Sequence, residues 1–125
     1  MSQSKPVVTL PDEEPSGQQL RVDDLLEGEG EVAAAGHLAE VHYVGVSWNT
    51  RNEFDASWNR GDTFKFKLGA GQVISGWDQG VQGMKIGGRR QLTIPPALGY
   101  GARGAGGVIG PNEHLVFVVD LIGLR

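Results

Sequence analysis

The clearest signal along the chain is a two-residue alternation of apolar and polar positions. Between Thr63 and Leu68, Phe64, Phe66 and Leu68 fall on one face, and Lys65 and Lys67 fall on the other. This predicts a half-buried antiparallel strand. Arg89 to Pro95 repeats the device with Leu92 and Ile94. From His114 to Leu124, Leu115, Phe117, Val119 and Leu121 share a face, and Val116, Val118 and Ile122 make the opposite face apolar as well. A central strand covered on both sides is expected there. Leu38 to Val46 fills two faces of another strand, and Gln19 to Leu26 reads as a first strand-like segment ending at the Gly28-Glu29-Gly30 turn signal. Helical period occurs once, where Trp77, Val81 and Met84 stand at i, i+4 and i+7. Ser75-Gly76-Trp77-Asp78 resembles a capping box with Asp in place of Glu, and Gly83, Gly87 and Gly88 limit the helix. The prediction is an α+β domain, an antiparallel sheet of about five strands with one short helix on one side.

Residues 1–17 are rich in Ser, Pro, Glu and Gln and bury little, so they read as a flexible tail ahead of a domain over residues 18–125. The chain has 125 residues, 39% of them apolar and 21% charged, as in an ordinary soluble single domain. The absence of cysteine excludes disulfides, thiolate metal sites and a cysteine nucleophile. A net charge of −4 without a basic stripe argues against nucleic acid as a partner. No apolar run is long enough for a membrane span, and Met1 to Leu10 lacks the apolar region of a signal peptide. A cytoplasmic protein is the expectation, and the lack of heptads or a further domain predicts a monomer. His37, His42 and His114 are too scattered to suggest a metal site.

Other motifs carry little chemistry. Gly99 to Gly104 formally fits GxGxxG, but Pro95-Pro96 precede it and a second glycine run follows it, so the strand and helix of a dinucleotide site are missing. There is no GxSxG elbow, and Asp55, Asp62 and Asp78 read as turn and cap residues. The aromatics are the stronger feature. Tyr43, Phe54, Phe64, Phe66, Trp77, Tyr100 and Phe117 come from separate segments and suit either a core or a concave apolar pocket with Tyr43, Asp55 and Tyr100 as polar accents.

Several blocks, in order, resemble the FK506-binding protein family. They are Val41-His-Tyr-Val-Gly45, Phe54-Asp-Ala-Ser57, Phe64-Lys-Phe-Lys-Leu-Gly69, Val73-Ile-Ser-Gly-Trp-Asp-Gln-Gly80, Leu92-Thr-Ile-Pro95, Leu98-Gly-Tyr-Gly101 and Leu115-Val-Phe-Val118. They span residues 36–125, with a weaker match from about residue 19. The resemblance implies a strongly curved antiparallel sheet wrapped around one short helix, and a cofactor-free peptidyl-prolyl cis–trans isomerase. Its partners would be proline-containing peptides and unfolded proteins, with macrolides such as FK506 and rapamycin bound in the same place. A binding or chaperone module without turnover is the alternative. On the matching positions, Trp77 would form the pocket floor, and Tyr43, Phe64, Val73, Ile74 and Phe117 its walls. Phe54 would stand beside Asp55, Tyr100 at the rim, and Arg60 would fix the aspartate and tyrosine. Val108 and Ile109 would tip the overhanging loop, in which Ala105 replaces a frequent histidine. Tyr100 and the Ile74 backbone N–H are expected to donate to substrate carbonyls. Asp55 would either face the twisting carbonyl or hold the network through Tyr43 and Arg60. Trp58 is bulkier than the usual occupant and reads as an exposed turn residue or a partner contact.

Overall fold

The structure, a computed structural model, describes residues 4–10, 19–104, 109–110 and 112–125. Six strands form one curved antiparallel sheet: β1 (Arg21–Leu26), β2 (Leu38–Ser47), β3 (Glu53–Ala56), β4 (Phe64–Lys67), β5 (Arg89–Ile94) and β6 (Leu115–Leu124). Their order is β1-β5-β6-β2-β3, and β4 pairs with β2. One edge of β2 therefore serves two partners. Leu38 to Val41 pair with β4, and Val44 to Val46 pair with β3 across a bulge. The chain between β3 and β4 is thereby forced off the sheet. It forms a single helical turn, α1 (Ser57–Arg60), closed by Gly61 in the left-handed region at φ 69°.

The alternating runs fold as their pattern implies. Lys65 and Lys67 are exposed while Phe66 and Leu68 are buried. In β6, Leu115, Phe117, Val119 and Leu121 enter the main core, and Val116 and Val118 are fully buried on the opposite face. Ile122, placed with them by the pattern, is exposed. The first strand is an edge strand that leaves Val22, Leu25 and Leu26 exposed. β3 is a sixth strand that alternation did not reveal.

The helix α2 (Ser75–Gly80) lies on the concave face. Trp77, Val81 and Met84 are all buried, although Val81 is already the C-cap. A Cβ at Gly76 would come within 2.7 Å of Ile94, and one at Gly80 within 2.6 Å of Leu92. These glycines let the helix backbone approach β5 closely. The capping box does not form: the N-cap is Ile74, with no side-chain cap. The Asp78 carboxylate instead accepts hydrogen bonds from the N–H groups of Gly69 and Gly71, each at 2.9 Å, and ties the β4–α2 loop to the helix. The competing loop donors took the side chain that would have completed the box.

Residues 4–10, within the stretch that composition marked as a tail, lie across the outer face of the sheet. Val8 and Leu10, together with Trp58, pack against the cluster of Val44, Val46 and Ala56. The Arg89 guanidinium donates to the Ser4 carbonyl at 2.7 Å, and the Gln91 side chain donates to the Thr9 carbonyl at 3.3 Å. Trp58 is therefore not an exposed turn residue. It is half-buried and stacked on His42, with ring centroids 4.0 Å apart and planes at 16°.

Candidate active site

The concave face of the sheet and α2 enclose a cavity of about 440 Å³, inside the usual range for small-molecule and peptide side-chain sites. Trp77, from the third position after the α2 N-cap, lies at its base and is 4% exposed. The rings of Tyr43, Phe64 and Phe117 stand edge-on to the indole, with centroids 4.9, 6.0 and 5.3 Å away and interplanar angles of 79° to 90°. Such T-shaped contacts fix ring orientation as well as burying area. Phe54 meets Phe117 edge-on at 5.6 Å. Gly45 makes room for that pair, because a Cβ there would come within 2.8 Å of both rings. Val73 and Ile74 complete the apolar lining.

Polar groups converge on one side. The Tyr43 hydroxyl donates to Asp55 Oδ2 at 2.5 Å, Arg60 Nη1 donates to Asp55 Oδ1 at 2.7 Å, and Arg60 Nη2 donates to the Tyr43 oxygen at 2.9 Å. β2 supplies the tyrosine, β3 the aspartate and α1 the arginine, so the bend between β3 and β4 is what brings them together. Burial pushes the Asp55 carboxyl up, but hydrogen bonds from Tyr43 and Arg60 and the Arg60 charge outweigh it and hold it below the ordinary value of 3.8. Burial and the bond to Asp55 raise the Tyr43 phenol above 10.0, against the lowering by Arg60. Burial, then the Asp55 charge, raises Tyr100 as well. At neutral pH the site holds a charged carboxylate and two protonated phenols.

Tyr100 borders the cavity and is partly exposed. Among the described residues, neither its hydroxyl nor the Ile74 backbone N–H has a hydrogen-bond acceptor. Two donors are thus open beside an apolar hollow.

Of the residues picked out in the sequence, Tyr43, Phe54, Asp55, Phe64, Val73, Ile74, Trp77, Tyr100 and Phe117 border the cavity together, and Arg60 binds its rim. Ile109 does not border it; this side chain is buried in the main core. Val108 and Ala105 lie outside the described residues. Gly71 and Gln72 line the cavity and were not anticipated, though they directly precede Val73. Gln72 is turned into the local fold, its Oε1 accepting from the Lys67 N–H at 2.8 Å. Two supporting side chains also escaped the sequence reading. The buried Ser57 hydroxyl receives the Tyr43 N–H at 2.7 Å and lies 2.8 Å from His42 Nδ1. Glu113, also buried, receives the Ser47 hydroxyl at 2.6 Å and the Gly110 N–H at 3.2 Å, anchoring the chain beside Ile109 to the end of β2. Among the described residues no three His, Asp or Glu side chains stand together as a metal site would need.

An aromatic hollow whose described lining has open donors and no nucleophile–base pair, the Ser57–His42 pair lying outside it, is suited to non-covalent work on an apolar ring flanked by carbonyls. Known proteins agree with this class. Residues 29–122 match the model of the family described as FKBP-type peptidyl-prolyl cis-trans isomerase, and the chain belongs to that family. It is 61% identical over 123 residues to the FK506-binding protein of Streptomyces anulatus, covering 98% of each chain. A probable FK506-binding protein of Corynebacterium glutamicum is 48% identical over 118 residues, covering 94% of this chain and 97% of that one. The crystal structure of AtFKBP13 superposes with a TM-score of 0.77 at 42% identity, over 85% of this chain and 93% of that one.

Proposed function

We propose that this protein rotates Xaa-Pro peptide bonds between cis and trans without forming a covalent bond, and that it takes FK506 and rapamycin in the same cavity. The observation that carries this reading is Trp77 at the base of an apolar cavity, with aromatic edges turned to it on three sides and, beside it, two donors unpaired among the described residues. Family membership, and relatives named FK506-binding proteins, support it.

The chemistry fits. Amide conjugation sets a rotation barrier of about 18–20 kcal/mol, and Xaa-Pro bonds interconvert in roughly 10–100 s unaided. Turnover near 10–1000 per second needs a barrier lower by about 3–7 kcal/mol. The twisted amide has lost conjugation, with a pyramidal nitrogen and a less polar carbonyl. A water-poor aromatic cavity therefore favours it over the planar form by differential binding. Burial of the three ring methylenes on Trp77 contributes about 2 kcal/mol of anchorage. The Ile74 N–H and Tyr100 hydroxyl would hold the carbonyls on either side of the ring. Asp55, kept ionised by Tyr43 and Arg60, would present negative charge to the carbon of the twisting carbonyl. No cofactor is needed, and a monomer acting on unfolded or partly folded chains in the cytoplasm suits this reading.

Magnetisation-exchange NMR on a short Xaa-Pro peptide tests it. The wild-type protein accelerates exchange; Tyr100→Phe slows it roughly threefold to tenfold and Asp55→Ala about tenfold or more. Folded variants that catalyse as well as wild type would refute the residue assignment, and an inactive wild type would refute the function.

A further inference from the structure

The segment that carries Asp55 and Arg60 is weakly held by its own secondary structure. β3 is four residues long and, among the described residues, pairs on one side only, across a bulge, and it runs into a single turn without a side-chain cap. Elements of this kind open locally at low cost. Residues 4–10 lie against the outer side of this segment. Lys5 Nζ is 2.8 Å from Glu53 Oε1 and 2.9 Å from Asn59 Oδ1, and Asn59 Nδ2 donates to Glu53 Oε2 at 2.8 Å. This polar triangle spans the segment. Glu53 stands two residues before Asp55, and Asn59 directly precedes Arg60. Below it, Val8 and Leu10 pack, as Trp58 does, on the cluster of Val44, Val46 and Ala56, while Ser4 and Thr9 are tied to β5 by Arg89 and Gln91. The bond from Lys5 holds the Glu53 carboxyl below its ordinary value against the opposing effect of burial, with help from Asn59 and the Lys5 charge.

We propose that Ser4–Leu10 is a brace that positions Asp55 and Arg60 against Tyr43. One exposed ion pair contributes little by itself. Here it closes a polar clamp over an apolar anchor, and the clamp grips both ends of the stretch that supplies two of the three groups of the polar network. The brace lies on the face of the sheet opposite the cavity, so Lys5, Val8 and Leu10 are positioning residues and touch no substrate. The proposal rests on the isomerase reading for its effect on rate.

The test uses the full chain with Lys5→Ala, Val8→Ser and Leu10→Ser combined, together with Lys5→Glu alone and in combination with Glu53→Lys. The combined variant raises amide hydrogen exchange over residues 53–60 about tenfold relative to β5 and β6. It lowers kcat/KM roughly threefold to tenfold, mainly through kcat. Lys5→Glu loses about twofold to threefold, and the reversed pair Lys5→Glu/Glu53→Lys regains most of it. The proposal is overturned if exchange over residues 53–60 rises no more than elsewhere. It is equally overturned if that exchange rises while kcat/KM stays within about 1.5-fold of wild type. An inactive wild type would instead sink the isomerase reading. Hydrogen exchange alone then decides the brace: faster exchange confined to residues 53–60 upholds it, and unchanged exchange overturns it.

Discussion

Two aspartate–arginine pairs hold this molecule at opposite faces of the sheet, and their environments set them different tasks. At the cavity rim, Asp55 and Arg60 meet at 2.7 Å with side chains 42% and 51% exposed. On the outer face, Asp120 meets Arg89 at 2.6 and 3.1 Å; the aspartate is fully buried and sits opposite His42 in the strand register. The hydrogen bonds are alike, yet the carboxyls shift in opposite directions. For Asp55, the bonds from Tyr43 and Arg60 outweigh burial and lower it. For Asp120, burial outweighs the lowering by Arg89 and His42 and raises it. Partial solvation keeps a charge cheaply where a substrate can meet it, whereas full burial makes the charge a cost that the partner only partly offsets.

The comparison breaks most visibly at Arg89. Arg89→Ala leaves Asp120 buried without its partner and is expected to cost about 3–5 kcal/mol of stability, read from urea unfolding. The equivalent loss at the rim, Arg60→Ala, should cost less than about 1 kcal/mol because both groups are half in water. Unequal costs support the contrast, and equal costs would dissolve it. Activity reverses the order. Asp55→Ala should cut kcat/KM about 10- to 100-fold while unfolding changes little, and Arg89→Ala should leave the folded fraction far more active than that.

A pH profile sharpens the same contrast. Asp55 ionises below 3.8, and Tyr43 and Tyr100 keep their protons beyond pH 10, so the isomerisation rate should be flat between about pH 5 and 9. A bell centred near neutrality would contradict the assignment. In stability the two carboxyls act with opposite sign. The folded value of Asp55 lies below its unfolded one, so its contribution is present above pH 3.8 and is lost as pH falls through the folded value. The folded value of Asp120 lies above its unfolded one. Its contribution is therefore present below pH 3.8 and lost as pH rises through the folded value. The smallest effect follows: Asp120→Asn should change stability at pH 7 by only about 1 kcal/mol, while removing the part of the pH dependence that declines with rising pH. An unchanged pH dependence would show that Asp120 does not titrate as described.

The legible parts of the fold were those in which local pattern and burial coincide. β4 could be read because Phe66 and Leu68 are inside and the intervening lysines outside, and β6 because both of its faces are covered. β3 could not, because Glu53-Phe-Asp-Ala56 is too short for a period to stand out and owes its conformation to the free edge of β2. The capping box failed for a related reason: Asp78 had loop N–H groups to satisfy, which no spacing reveals. At the site, the residues carried by the family blocks lie together around one cavity. What stayed hidden were the supports that depend on segments distant in sequence. Ser47 meets Glu113 across 66 residues, and Arg89 meets Ser4 across 85. Val8 and Leu10 carried too few apolar neighbours to announce that they cover β2.

The most direct test of the account is the cis–trans exchange rate of a short Xaa-Pro peptide, followed as FK506 is titrated into the protein. The account predicts catalysed exchange that falls linearly to the uncatalysed rate by one equivalent of macrolide, because ring and drug need the same indole-floored cavity. Exchange that the protein never accelerates, or acceleration that persists with the macrolide bound, would contradict it.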